Sequence, residues 1–153
     1  MTEVEAGSSP GDLTDPARIV LARRIEWMDT DAAGIYHYTT VFRLAEAAEA
    51  ELHTRLGIDH LTFGATPRLN VSAAFRRSLG FNDLVEVDLE VTSIGRSSLA
   101  YRFRISKEDQ VAAEGEILSC YIDRTTGRSS PWPEEVRHRL AAGGLAQLDR
   151  LEP

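Results

Sequence analysis

The chain is poor in the residues that make covalent or metal-bound scaffolds. Its 153 residues include a single cysteine, Cys120, so neither an intrachain disulfide nor a cysteine metal cluster is available. Such cysteine usage fits a reducing, cytoplasmic setting. Cys120 has no histidine or helix start beside it and reads as a small core residue. His53, His60 and His138 read as surface or interface positions, and no metal-ligand spacing joins them. The G-x-S-x-G elbow of serine hydrolases is absent. Positive charge is in deficit: 17 Lys and Arg stand against 24 Asp and Glu, for a net charge of −7. That balance speaks against a general nucleic-acid or anionic-membrane binder. No apolar run approaches the ~20 residues that span a bilayer. The segment 1–16 lacks the basic and apolar regions of a signal peptide and reads as a flexible tail.

What is present is a globular composition, with 42% hydrophobic and 27% charged residues, and length for one domain over residues 17–142. Residues 143–153 read as a weakly ordered end. From Arg18 to Trp27, Ile19, Leu21, Ile25 and Trp27 fall on one side, which predicts a first strand. Val41, Leu44, Ala45, Ala48, Leu52 and Leu56 then recur at helical spacing. Thr39 or Thr40 can cap the start and Gly57 can end the helix. Phe42, Glu46, Glu49 and His53 form a second stripe on this helix, about 100° from the apolar one. Phe42 among the acids suggests a partner surface or the wall of a site.

Beyond Pro67 the pattern is one of strands. Leu69, Val71, Ala73 and Phe75 alternate with polar or small residues, as do Val85 to Val91 and Leu99 to Ile105. Val111 to Asp123 reads as a last long strand, and a short helix follows near Glu134 to Ala142. The turns fall at Gly80 to Asp83, at 94–97 and at 107–110. Strand, long helix and four strands in meander order make an α+β fold, one antiparallel sheet curled around one helix.

The stretch from Trp27 to Tyr38 is chemically dense. Asp29 and Asp31 precede small residues, Gly34, three aromatic rings and the long helix. Asp31 should sit on a tight turn ahead of a helix start, where free N–H groups and the helix dipole favour negative charge. A carboxylate beside oxyanion donors is a plausible hydrolytic site. Other D-x-D chemistries fit poorly. The haloacid-dehalogenase signature needs a buried parallel strand and a larger α/β domain. An EF-hand loop wants Glu at position 12, and counting from Asp29 gives Thr40. Asp29 is read as a turn former.

Element order together with Asp-Thr-Asp-Ala-Ala-Gly at the first strand-to-helix turn resembles the hot-dog fold, in particular the 4-hydroxybenzoyl-CoA thioesterase branch and its bacterial acyl-CoA thioesterase relatives. The resemblance runs from about Ile19 to Pro133. It is carried by residues 25–35, which match the D-x-D-x-x-G signature. It is carried also by residues 65–68 leading to Phe75, with Asn82-Asp83-Leu84, and by residues 94–98 with 123–128. It implies a catalytic role for Asp31, an oxyanion-holding backbone N–H at Tyr38, and a helix acid, Glu46, that reaches the acyl end across a dimer interface. It implies a homodimer or tetramer with sites between subunits. Coenzyme A, as part of the substrate and not as a cofactor, would lie with its phosphates on Arg96 and Arg128, with Arg76, Arg77 and Arg124 as further candidates. Relatives often carry Asn where Thr40 stands, and Thr40 lacks an amide's paired hydrogen bonds.

The expected activity is therefore hydrolysis of an acyl-CoA thioester. Asp31 would attack the carbonyl or activate water. Tyr36, His37, Thr40 and Phe42 would line the acyl side, with Glu46 able to accept from a ring hydroxyl. An acyl-carrier-protein thioesterase uses the same chemistry. A non-catalytic acyl-CoA-binding module would need the pocket but not Asp31. A hydratase would give His37 the proton-transfer role.

Overall fold

The computed structural model describes residues 13–146. Its elements in chain order are β1 (Arg18–Arg24), α1 (Tyr38–Arg55), α2 (Asp59–Thr62), β2 (Arg68–Phe75), β3 (Leu84–Ile94), β4 (Ser98–Lys107), β5 (Gln110–Cys120) and α3 (Glu134–Ala142). The five strands form one antiparallel sheet in the order β1-β3-β4-β5-β2. Three strands, β3 to β5, follow one another as a meander. The remaining pair corrects the expected order: β2 lies at the far edge beside β5, and the chain then returns through residues 76–83 to place β3 beside β1.

Alternation in the strands sorts the sheet's two faces. Ile19, Leu21, Val87, Leu89, Val91, Leu99, Tyr101, Phe103 and Ile105 are buried, and α1 covers them with Val41, Leu44, Ala45, Ala48 and Leu52. A buried aliphatic side chain stabilises by roughly 1.5–3 kcal/mol, against a few tenths for an exposed helix pair. Packing therefore holds α1, although the expected Glu51–Arg55 pair does form at 2.9 Å. The opposite face is wet and carries cross-strand ion pairs, among them Arg18–Asp88 and Arg102–Glu90 at 2.7 and 2.8 Å.

The sheet is unusually close at Gly115. A Cβ there would lie 1.9 Å from the Ser72 carbonyl oxygen and 2.7 Å from the Phe103 ring. Glycine thus lets β2, β5 and Phe103 meet, and Phe42 packs edge-on against Phe103 with centroids 6.4 Å apart. At the end of α1, Ile58 N–H donates to His53 O and Gly57 N–H to Thr54 O, with Gly57 at φ +71°. This is the glycine-terminated cap that the sequence predicts.

Three expected boundaries move. β1 stops at Arg24, because the chain turns through a single 3-10 turn at Trp27–Asp29, and Trp27 is exposed instead of facing the core. β5 ends at Cys120, which is half-buried, and Ile122 instead bridges Ser129 in a small hairpin. Residues 13–16, read as tail, are bound to the end of α3 through Thr14 and Asp15 N–H on Ala141 O. Gly144 and Ala146 likewise bond along the start of β1. The rest of the two expected tails lies outside the described residues. Among the described residues no helix is long and apolar enough to cross a membrane.

Candidate active site

The two aspartates of the turn have opposite environments. Asp29 is buried and closes the 3-10 turn, its Oδ2 accepting from Glu26 N–H at 2.8 Å. Its Oδ1 accepts from Arg43 Nε and Nη2 at 3.1 and 2.5 Å. Its carbonyl accepts from His37 N–H at 2.6 Å and from the Thr40 hydroxyl at 2.9 Å. Asp29 thus clamps the turn onto the first turns of α1. This agrees with its reading as a turn former.

Asp31 opens a small hairpin bracketed by a Thr30–Tyr36 bridge. Its N–H donates to Ile35 O at 2.8 Å, and Gly34 N–H returns to Asp31 O at 3.0 Å. Gly34 sits at φ +81°, a conformation that side chains with a Cβ disfavour. The carboxylate is exposed, and only Oδ1 is engaged by the loop, accepting from Ala33 N–H at 2.8 Å. The hairpin is fixed from behind by an Ile35–Gly80 bridge and by Tyr36 N–H on Leu79 O. The loop therefore presents a held but uncovered carboxylate just ahead of the helix.

His37, not Thr39 or Thr40, caps α1: its Nδ1 accepts from Thr39 N–H at 3.2 Å. Tyr38 is the first helical residue, so its N–H has no acceptor within the helix. Its exposed ring lies against His37, centroids 4.5 Å apart. Thr40 is buried and spends its hydroxyl on Asp29 O. Tyr36 is also buried. Its hydroxyl donates to Arg77 O at 3.0 Å, and burial pushes its pKa up. Tyr36 accordingly supports the turn from the core side, its ring 6.2 Å from Phe75.

The second stripe of α1 splits along its length. Phe42 is half-buried and Glu46 is exposed, so both can border a site. Glu49 is buried and pairs with Arg68 at 2.8 Å, and desolvation raises its pKa against the pull of that arginine. His53, expected at the surface or an interface, is instead 1% exposed. Its Nδ1 meets Thr62 Oγ1 at 2.6 Å and its Nε2 meets Tyr101 Oη at 2.5 Å. Thr62 donates its own proton to Ile58 O, so it accepts from His53 Nδ1–H, and Tyr101 donates to Nε2. The imidazole is held neutral, its pKa lowered to about 4 by burial and by Arg68. A 3.6-residue period gives a face but not what another segment places over it, and here α2 and Arg68 cover the lower half of the stripe.

The five candidate phosphate arginines do not form one cluster. Arg76 and Arg77 bond through their backbone N–H to Ala112 O, near the start of β5 and on the Asp31 side. Arg96, Arg124 and Arg128 lie beyond the other end of β5: Trp132 N–H donates to Arg96 O, and Asp123 N–H to Arg128 O. The run from Ala112 to Cys120 spans about 26 Å of strand. Arg96 and Arg128 are exposed, Arg76 pairs with Glu114 at 3.3 Å, and Arg124 donates to Phe63 O. Two residues that matter were not foreseen, Arg43 and Arg68. Arg68 carries a weak signal, a basic residue opening a strand across from helix acids. Arg43 carries none, because its partner lies 14 positions back on an irregular turn.

Comparison with known proteins agrees with this fold. Residues 25–140 match the family described as the thioesterase-like superfamily. The chain is 25% identical over 124 residues to a 1,4-dihydroxy-2-naphthoyl-CoA hydrolase of Synechococcus elongatus, covering 77% of this chain and 91% of that one. A solved hypothetical protein from Aquifex aeolicus superposes with a TM-score of 0.73 at 26% identity, over 79% of this chain and 98% of that one. A 1,4-dihydroxy-2-naphthoyl-CoA thioesterase from Synechocystis shares the fold, with a TM-score of 0.75 at 17% identity over 82% and 96% of the two chains. With the long helix laid on a five-stranded antiparallel sheet and the family match spanning most of its length, the chain belongs to the thioesterase-like superfamily and is a hot-dog-fold thioesterase.

Proposed function

We propose that the protein hydrolyses an acyl-CoA thioester to the free acid and coenzyme A, with Asp31 as the reacting carboxylate. The observation that carries this reading is the contrast at the turn. Asp29 is consumed by structure, while Asp31 is held by one backbone N–H on an exposed hairpin directly ahead of α1. The Tyr38 N–H and the dipole of α1 stabilise the oxyanion that forms on the thioester carbonyl. Asp31 attacks the carbonyl carbon, or takes the proton of a water that attacks, and the CoA thiolate leaves. In the first route water then cleaves the acyl-aspartyl anhydride and restores the carboxylate.

The acyl group lies along Phe42 toward Glu46, whose carboxylate accepts a hydrogen bond from a ring hydroxyl. An aromatic acyl group suits that wall, and it is in keeping with the dihydroxynaphthoyl-CoA that the relatives are named for. A second copy of the chain completes the site. The edge strand β2 carries Leu69, Val71 and Phe75 at 41%, 44% and 49% exposure, an uncovered apolar strip that pairing of two copies would bury. That pairing also answers the division of the arginines. Arg76 and Arg77 serve the Asp31 end within one chain, while Arg96, Arg128 and Arg124 reach a site from the partner.

The test is Asp31→Asn assayed against aromatic, short-chain and long-chain acyl-CoAs. The expected result is loss of at least about 10³-fold in turnover, with CoA binding and thermal midpoint unchanged. Wild-type turnover in that variant rejects the assignment. Light scattering on the purified protein tests the dimer, and a Val71→Asp variant that stays monomeric and inactive supports a shared site.

A further inference from the structure

Glu46 is 74% exposed, and an exposed glutamate on a helix has several rotamers to choose from. Its surroundings narrow that choice. Arg68, at the start of β2, is anchored from below: its Nη1 donates to Glu49 Oε2 at 2.8 Å and to Ser119 Oγ at 3.1 Å. Glu49 is 7% exposed and Ser119 fully buried, so the guanidinium is fixed by groups that have lost their water. A planar guanidinium held by one terminal nitrogen has its other one set by geometry. That other nitrogen, Nη2, stands 3.9 Å from Glu46 Oε2. Glu46 and Glu49 are three residues apart, so the two carboxylates share one side of α1 and Arg68 lies between them.

We propose that Arg68 is the positioning residue for Glu46. A buried acid, Glu49, and a buried hydroxyl, Ser119, hold a cation whose free edge restrains the carboxylate that meets the acyl group. This rests on the reading of Glu46 as a site residue. Arg68 works through Glu46 and does not itself touch the reacting atoms. Its ion pair with the exposed Glu46 adds little to stability in the free protein, because solvent screens it, and it strengthens when bound substrate excludes that solvent. The effect belongs to turnover. A carboxylate displaced by an ångström or so costs on the order of 10²-fold in rate.

The experiment compares kcat and KM on a hydroxyaryl-CoA for wild type, Glu46→Gln, Arg68→Lys, the double variant Glu49→Met/Arg68→Met, and the triple variant that adds Glu46→Gln. The double variant removes the buried pair together, which avoids leaving Glu49 charged and unpaired. The expected result is a folded double variant whose kcat drops by about 10²-fold while KM moves less than about threefold. Arg68→Lys should recover part of that loss, and the triple variant should be no worse than Glu46→Gln alone. A folded double variant with wild-type kcat, beside an impaired Glu46→Gln, overturns the positioning role and leaves Glu46 in the site. An unimpaired Glu46→Gln overturns both. Losses that simply multiply in the triple variant also overturn the proposal, since the two residues would then act independently. If the double variant does not fold, Glu49→Gln/Arg68→Gln, which removes both charges and keeps a donor for Ser119, carries the same comparison.

Discussion

Asp29 and Asp31 are two residues apart and chemically identical, yet the fold uses them in opposite ways. The Asp29 carboxylate is buried and accepts from Glu26 N–H and from Arg43, while its carbonyl binds His37 and Thr40. Asp31 is exposed and has one loop N–H on one oxygen. The difference lies in what is bound around each, not in residue type. A carboxylate whose lone pairs are already filled by fixed donors has little left for a substrate. One that is oriented but unfilled is able to react. The comparison predicts that substitutions will separate cleanly into those that cost turnover and those that cost stability.

The largest separation should come from the pair itself. Asp31→Asn is expected to remove at least about 10³-fold of turnover, some 4 kcal/mol of transition-state stabilisation, and to leave folding stability within about 0.5 kcal/mol. Asp29→Ala should do the reverse. It removes the ion pair with the half-exposed Arg43 and strips a cap from the 3-10 turn, for about 1–2 kcal/mol of lost stability. Urea unfolding of both variants beside their turnover numbers makes the check. An Asp29→Ala protein as stable as wild type, or an Asp31→Asn protein that unfolds early, breaks the distinction.

Much of this arrangement was legible in the sequence, and the parts that were not share a cause. The long helix, its glycine cap, α3 and the hairpin turns follow from period and turn chemistry, which are local. The reading of Asp29 as a turn former was legible because the turn chemistry of an aspartate is also local. Contacts made by distant segments were hidden. His53 reads as a flank of the helix, but Thr62 and Tyr101, 9 and 48 residues away, enclose it. Tyr36 reads as a pocket residue, yet its hydroxyl is taken by the Arg77 carbonyl, 41 residues on. The place of β2 at the far edge was likewise hidden, since alternation gives a strand its faces and not its neighbours.

The buried histidine extends the comparison to pH. His53 is neutral in the fold, its pKa lowered to about 4 by burial and by Arg68, with Asp59 pulling the other way. Its unfolded value is near 6.5. Between these two values the unfolded chain binds more protons than the folded one, so stability falls as pH drops through that window and is fully present above it. The full loss from this group approaches about 3 kcal/mol at pH 4. Glu49 acts oppositely, since its folded pKa is raised, and stability gained from it grows as pH falls. Chemical denaturation from pH 7 to pH 4 on wild type and His53→Gln isolates the histidine. The variant should start less stable and lose less on acidification. Parallel curves would mean that His53 titrates alike in the folded and unfolded chain, as an imidazole open to solvent does.

The smallest effect tests the clamp at its outer bond. Thr40 spends its hydroxyl on the Asp29 carbonyl inside the first turn of α1. Thr40→Val keeps the shape and removes one hydrogen bond. The Asp29 carbonyl still has His37 N–H, at 2.6 Å, so no acceptor is orphaned. The expected cost is therefore near about 1 kcal/mol, the net worth of a single buried bond, and not the larger penalty of an unsatisfied group. Turnover should change less than about threefold, because Asp31 is held by its own hairpin and by the Gly80 bridge. A drop in kcat as large as that of Asp31→Asn would show that the clamp and the Asp31 loop are one unit. Their separation would then fail at Thr40, the residue that joins helix to turn.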